Sequence, residues 1–423
     1  MQNRTIFGLM QILSVTLVLI IGEILPADAK DLPEFQKLPI TLNASEQVPK
    51  NILTGPNYRI EANVINDGLI DIYRLTTDYG PLKVESTSLL RERTNELKAL
   101  SHMEAVEQTD TFAKALEKGA TAPIAMAKGL VTHPVDTVSG IASGVGSWFK
   151  DIGNAITSDD PNQEGAISAA IGYAAAKRKM AYEYGINPYT RYEPVQDKLN
   201  NIARASVVGG LTPKVAFGLI KTPVGTVLQV TDNAETMRQL VRDKSPAELD
   251  EINNKKLNAM GVEESTAKEF LKNPYFDPQE ETLLVGELEA MKNVKDRKNF
   301  IKMAAVAPDY KIVRYLRERA QMMAVYNEKV APVDRVVAVQ GVPLLQRKDG
   351  VIVLLAPLDH VFWTHHVWLT LKKGSEILNQ LPGFSGKEVW ISGAIDPIAR
   401  KALEMEGWKV KEDFASTFLT EKK

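Results

Sequence analysis

Residues 58–84 read YRIEANVINDGLIDIYRLTTDYGPLKV, and this stretch decides the fold class. Over residues 58–64 apolar and polar side chains alternate, the period of a half-buried strand. Asn66-Asp67-Gly68 offers the positive φ that a tight hairpin turn requires. Residues 69–76 make a second strand, Asp78-Tyr79-Gly80 turns the chain again, and residues 82–84 form a short third. Ser86 then opens a helix to about Val106, with Leu90, Leu97, Leu100 and Met103 on one stripe. Three strands need a cover over their apolar face, and this helix is the nearest one.

Outward from this unit, residues 30–56 are polar, aperiodic and marked by Pro and Asn, so they are expected to be an extended leader with little structure of its own. Residues 1–29 have the make-up of a secretory signal peptide: Arg4, an apolar run over residues 6–22, Pro26, and Ala27-Asp28-Ala29 before Lys30. An uncleaved anchor would need about twenty apolar residues, and Glu23 interrupts that count. The chain is therefore expected outside the cytoplasm, in a bacterial periplasm or beyond it. With no cysteine there is nothing to lipidate.

Toward the C-terminus, residues 107–330 read as helix after helix. Ser245-Pro246-Ala247-Glu248 is a capping box with Pro at the first helical position, and Asp277-Pro278-Gln279-Glu280 repeats that chemistry. Gly185 suits a helix C-cap. From residue 331 β-branched and leucine-rich runs appear at 335–340, 342–345 and 351–355, the last two separated by Arg347-Lys348-Asp349-Gly350 as a hairpin. A helix over 364–381 follows. A compact βαβ unit comes next: a strand at 388–392, a helix opened by Asp396-Pro397 and closed by Gly407, and a strand at 408–412. The expected class is α+β, mainly helical. Its parts are a signal peptide (1–29), an extended leader (30–56), a small antiparallel β-meander plus helix (57–106), a helical domain (107–330) and a C-terminal mixed α/β unit (331–423).

The 423 residues carry a net charge of −2. That balance speaks against a general polyanion binder, and no nucleic acid is expected as partner. Zero cysteines remove disulfides, thiol catalysis and cysteine-ligated metals. Core packing alone must hold the protein together.

One dense group of ligand-type residues stands out: Asp359, His360, His365 and His366. Imidazoles and a carboxylate are the makings of a zinc site or of acid–base catalysis. Their spacing argues otherwise. On a helix His360 and His366 would lie about 240° apart, and His365 and His366 about 100° apart. Trp363 and Trp368 flank the histidines, as in a packed aromatic patch. The group is expected to be structural, with no metal and no cofactor. The strand-to-helix turn at Ser392-Gly393-Ala394 resembles an anion site, but Asp396 would occupy its donors, and no G-x-G-x-x-G lies nearby. Nucleophile-elbow, H-E-x-x-H and P-loop motifs are absent too.

Residues 136–156 place Ser139, Gly140, Ser143, Gly144 and Ser147 at close helix-packing spacing, followed by Trp148-Phe149-Lys150. Such a face suits a helix contact or a membrane surface. A second apolar, glycine-rich stretch runs over 207–230.

Two resemblances can be placed on residues. Thr132-His133-Pro134-Val135-Asp136-Thr137-Val138-Ser139-Gly140 resembles the short His-Pro segment that precedes toxin domains in bacterial polymorphic toxins. Asn66-Asp67-Gly68, Thr77-Asp78-Tyr79-Gly80, Leu89-Leu90-Arg91-Glu92-Arg93, Ala176-Lys177-Arg178 and Pro357-Leu358-Asp359-His360 are similar to a family of exported proteobacterial proteins. That resemblance implies export and a shared fold, and carries over no functional residue. The resulting expectation is a non-enzymatic envelope protein that binds a protein partner or, through residues 136–156, a membrane surface. The alternatives are a secreted hydrolase with its site near Asp359 and His360, and a toxin-related or effector-like secreted protein.

Overall fold

The computed structural model describes residues 32–120, 161–219, 231–378 and 381–419. The expected signal peptide, residues 136–156 and residues 220–230 of the second glycine-rich stretch lie outside them. What is described is α+β and mainly helical, with an antiparallel sheet near the N-terminus and a mixed sheet near the C-terminus.

The first sheet begins earlier than the alternation at Tyr58 suggests. The leader supplies strand β1 (Ile40–Asn43), the single-turn helices α1 (Ala44–Gln47) and α2 (Lys50–Leu53), and strand β2 (Thr54–Gly55). Strands β3 (Tyr58–Ile60), β4 (Asn63–Asn66), β5 (Asp71–Thr77) and β6 (Gly80–Glu85) follow. β5 is central, with β6 along one edge and β3 and β4 sharing the other. Residues 58–64, read as one strand, are thus two. Ile60 pairs with Leu75 and Ile65 with Ile72, so five steps on one strand match three on the other. This is a bulge, and its carbonyl at Ala62 accepts from Ala44 N at 2.8 Å. The leader is recruited there, and β1 then pairs antiparallel with β4. Four residues are too few for periodicity to reveal; the partner strand supplies the drive.

Helix α3 (Thr87–Glu107) opens on Ser86, whose hydroxyl accepts from Leu89 N. Leu90, Leu97, Leu100, Met103 and Val106 are fully buried and share one core with Tyr73, Leu75 and Val84 of the sheet. Each such side chain contributes about 1.5–3 kcal/mol of apolar burial. The expected cover is in place.

The helical middle comprises α4 (Asp110–Ala120), α5 (Pro161–Glu183), α6 (Glu193–Gly209), α7 (Pro213–Leu219), α8 (Asp232–Asp243), α9 (Pro246–Ala259), α10 (Glu264–Leu271), α11 (Pro278–Ala290), α12 (Lys298–Ala305) and α13 (Tyr310–Lys329). Gly185 takes the left-handed conformation (φ +66°) after α5. The box at Ser245 is complete, with both reciprocal hydrogen bonds present. At Asp277 only half of it forms. The Asp277 carboxylate accepts from Gln279 N and Glu280 N, both at 2.9 Å, while the Glu280 side chain is drawn away by Arg317 Nε at 3.1 Å. These helices do not keep one core to themselves. α6 joins the core of the first sheet, while α10 to α13 pack on one face of the second.

That second sheet contains β7 (Val333–Val339), β8 (Val342–Arg347), β9 (Val351–Ala356), β11 (Gly386–Ile391) and β13 (Trp408–Lys411), ordered β13-β11-β9-β8-β7. β9, β11 and β13 are parallel, and the β7–β8–β9 hairpins are antiparallel. Alternation sends Val353, Leu355 and Trp390 to the α13 side. Ile352, Val389 and Val410 face α14 (His365–Leu378) and α15 (Pro397–Met405). Two residue pairs form a separate parallel ladder between β10 (His360–Val361) and β12 (Ala394–Ile395). The short helix α16 (Phe414–Phe418) follows β13.

Candidate functional site

Residues 357–364 connect β9 to α14. They run between the β4–β5 turn on one side and β12 on the other, held by backbone hydrogen bonds to both. Asp359 N and Phe362 N donate to Leu69 O and Gly68 O, at 3.1 and 2.9 Å. Gly393 N and Ala394 N donate to Leu358 O and Asp359 O, at 2.9 and 2.8 Å. A third strap comes from the leader: Trp363, fully buried, donates through Nε1 to Pro33 O and exchanges two further bonds with Gln36.

The turn that receives this segment is built by its own polar side chains. Asn66 Oδ1 accepts from Gly68 N (2.6 Å), and Asp67 Oδ1 accepts from Leu69 N and Ile70 N. Gly68 has φ +104°, as the Asp-Gly pair predicts.

Asp359 points its carboxylate into this junction. Oδ2 accepts from Asp71 N and Oδ1 from Thr87 N, each at 3.0 Å. Thr87 is the first residue of α3, so Asp359 caps that helix from 272 residues away. Asp71 is buried beside Asp359, accepting from Asn66 Nδ2 at 2.7 Å and from Tyr73 Oη at 3.3 Å. Tyr73 Oη lies 2.7 Å from Thr87 Oγ1. Burial, and then the neighbouring Asp71 charge, push the Asp359 carboxyl up to about 7. Burial also raises Asp71, opposed by Asn66 and His360. Neither carboxylate has an ion-pair partner among the described residues.

The three histidines diverge. His360 stacks on Phe362 (4.3 Å, 19°), and its buried Nδ1 has no hydrogen-bond partner. His365 meets Phe35 edge-on at 5.3 Å and leans on Trp368. His366 is exposed. Among the described residues no group of three or more His, Asp or Glu is placed to hold a metal ion. At the strand-to-helix turn the donors are spoken for: Ile395 N by Glu412, Ile398 N by Asp396. A Cβ at Gly393 would stand 2.0 Å from Asp359 O.

Sequence reading thus finds Asp359 and His360 but misses their partners Asn66, Asp71, Tyr73 and Thr87. The available signal is slight: Asp71 occupies an inward position of β5, in phase with Tyr73, Leu75 and Thr77. Elsewhere, Glu92 and Arg314 form a partly buried bidentate pair beside Arg317–Glu280 and the Ser88–Glu318 contact. A groove of about 380 Å³ is lined by Leu32, Pro33, Pro397, Ile398 and Lys401, with neither carboxylate nor imidazole. Among the described residues no helix is long and apolar enough to cross a membrane. Comparison with protein-family models, with curated proteins and with solved structures finds no match.

Proposed function

We propose that the chain is an exported protein of the bacterial cell envelope that acts as a non-enzymatic interaction module, binding a protein partner or, through residues 136–156, a membrane surface. One observation carries the non-enzymatic part. The group richest in catalytic residue types is engaged in packing and backbone contacts or turned to solvent: Asp359 accepts backbone N–H groups, His360 stacks on Phe362, His365 packs against Phe35 and Trp368, and His366 faces outward. Export rests on the signal-peptide pattern and on the likeness to exported proteobacterial proteins.

A second reading, a secreted hydrolase, has one observation in its favour. The raised Asp359 carboxyl lies beside Asp71 and near an imidazole with a free ring nitrogen, and shifted carboxyls cluster at active sites. The toxin-related reading rests on residues 132–140, which lie outside the described residues.

Cell fractionation with N-terminal sequencing tests the location: the envelope fraction should yield a chain starting at Lys30, and a cytoplasmic chain starting at Met1 would refute export. Cross-linking in intact cells should give one stoichiometric complex that survives His360→Gln. Turnover of an ester, peptide or glycoside that His360→Gln abolishes, in a variant that still folds, would replace this reading with the hydrolase.

A further inference from the structure

Among the described residues, every hydrogen bond from residues 32–39 to the rest of the chain goes to one residue, Trp363. Gln36 N donates to Trp363 O at 2.7 Å, and Trp363 N donates to Gln36 Oε1 at 2.8 Å. The Trp363 indole donates to Pro33 O at 3.1 Å. Two of these three bonds use leader backbone, which any peptide offers; the third asks for a side-chain carbonyl at the position of Gln36. Between them Phe35 enters a slot of three rings. Its centroid lies 5.9 Å from Trp363, 5.9 Å from Trp368 and 5.3 Å from His365. Aromatic pairs at such separations attract beyond the area they bury. All three rings belong to the C-terminal α/β unit, at the entry to α14. The leader thus sits there as a bound peptide does, with an aromatic anchor in a slot and backbone bonds on either side.

The segment is otherwise loosely engaged. Residues 33–37 form no helix or strand, and Glu34, Lys37, Leu38 and Pro39 are exposed. Phe35 is only half-buried, while the Trp363 and Trp368 walls beneath it are deeply buried. Just beyond, β1 is paired with β4 over four residues, so a lifted segment would stay tethered to the first sheet. With cleavage before Lys30, as proposed above, residues 32–36 lie at a chain end, and such ends stay in place only where something ties them down. Toward that end, Leu32 and Pro33 lead into the groove of about 380 Å³ that Pro397, Ile398 and Lys401 complete.

We infer that the slot formed by Trp363, His365 and Trp368 is a peptide-binding site, held in the free protein by its own leader and open to a partner's segment of the pattern proline-x-aromatic-glutamine. This rests on the interaction-module reading and gives it a site and a ligand class. The proline presents its carbonyl to the indole with φ already fixed, which lowers the cost of ordering the peptide. The aromatic ring fills the slot, and the glutamine closes the reciprocal pair with the Trp363 backbone. The seated leader is a tethered competitor at an effective concentration of about a millimolar.

The test uses the mature chain and a synthetic peptide of residues 30–39. Binding is read by anisotropy of a dye on the peptide and located by exchange of the Trp363 indole N–H. Phe35→Ala with Gln36→Ala takes the anchor and the side-chain bond from the tethered copy. The peptide should bind this variant roughly tenfold tighter than the wild type, the margin set by removing a competitor of that strength. Bound peptide should restore the indole protection that the variant loses, and Phe35→Ala in the peptide should abolish binding. No binding to the folded variant at millimolar peptide, equal affinity for variant and wild type, or binding that ignores the peptide's Phe35 would each overturn the site. Should the double variant not fold, the wild type decides through the same indole. Corrected for intrinsic rates, it must be less protected than the amides of Val353 and Leu355 in β9, because it opens locally. Exchange of that indole through global unfolding alone would overturn the proposal. Cross-linking in cells tests the interaction module separately: a complex without peptide binding overturns the slot alone, and peptide binding without a complex overturns the module alone.

Discussion

At its first residue α3 meets the carboxylate of Asp359, and little more than a turn later it presents Glu92 to Arg314 of α13. Both carboxyls leave water, and in both burial by itself raises the pKa. They end on opposite sides of the ordinary carboxylate value. The Arg314 guanidinium, bonded at 2.5 and 3.2 Å, outweighs burial and holds Glu92 down at about 2. Asp359 has backbone N–H groups and a second carboxyl instead, and sits at about 7. Desolvation sets the stakes, and the sign of the partner sets the outcome. One helix is thus fixed in two ways: by an ion pair that tolerates acid and by a carboxyl contact strongest in acid.

The largest test of that contrast is Arg314→Met. It leaves Glu92 buried without its cation and should cost about 3–5 kcal/mol at pH 7 in chemical denaturation. Part of the loss should return as pH falls toward 4, where Glu92 can take a proton. In the wild type the Glu92 contribution is present above the ordinary carboxylate range and disappears only as pH drops through about 2. A loss below about 1 kcal/mol would put Glu92 and Asp359 in the same class and remove the contrast.

Next in size is Gly393→Ala, since the new Cβ would meet the Asp359 carbonyl, which is backbone and yields only by moving residues 357–364. About 1–3 kcal/mol should be lost, and the pH dependence of the junction with it. Preserved pH dependence would mean that Asp359 can keep its bonds from a displaced loop.

Asp71→Asn should be milder still, below about 1 kcal/mol at pH 6, because the amide keeps the size and shape of Asp71 and leaves one carboxyl in the site instead of two. At pH 8 it should equal or exceed the wild type in urea midpoint. A loss that grows with pH would mean that the Asp71 charge stabilises the junction.

The smallest effect is expected for His366→Ala. This exposed side chain should shift stability by no more than about 0.5 kcal/mol. A larger shift, or loss of a cross-linked partner, would make His366 part of a binding surface.

Much of the fold is legible locally. Ser86 as cap, the stripe of Leu90, Leu97, Leu100 and Met103, the complete box at Ser245 and the βαβ unit closed by Gly407 all arise between residues a few positions apart. The half-formed box at Asp277 marks the limit of such reading, because the Arg317 that takes Glu280 lies 37 positions away. Strand β1 was hidden for the same reason. Its pairing depends on a bulge at Glu61-Ala62, which nothing in residues 40–43 announces.

The site divides along the same line. By itself the sequence determined that Asp359, His360, His365 and His366 stand close along the chain, and that helical spacing would not aim the imidazoles at one point. It also fixed the hydrogen-bond chemistry of the Asn66-Asp67-Gly68 turn, since side chain and backbone there are neighbours. Only the tertiary structure decided that Asp359 faces Asp71 and the start of α3, that neither has an ion-pair partner among the described residues, and that one carboxyl rises while another falls. Solvation and charge partners belong to the place a residue reaches, and here the partner arrives from 288 residues away.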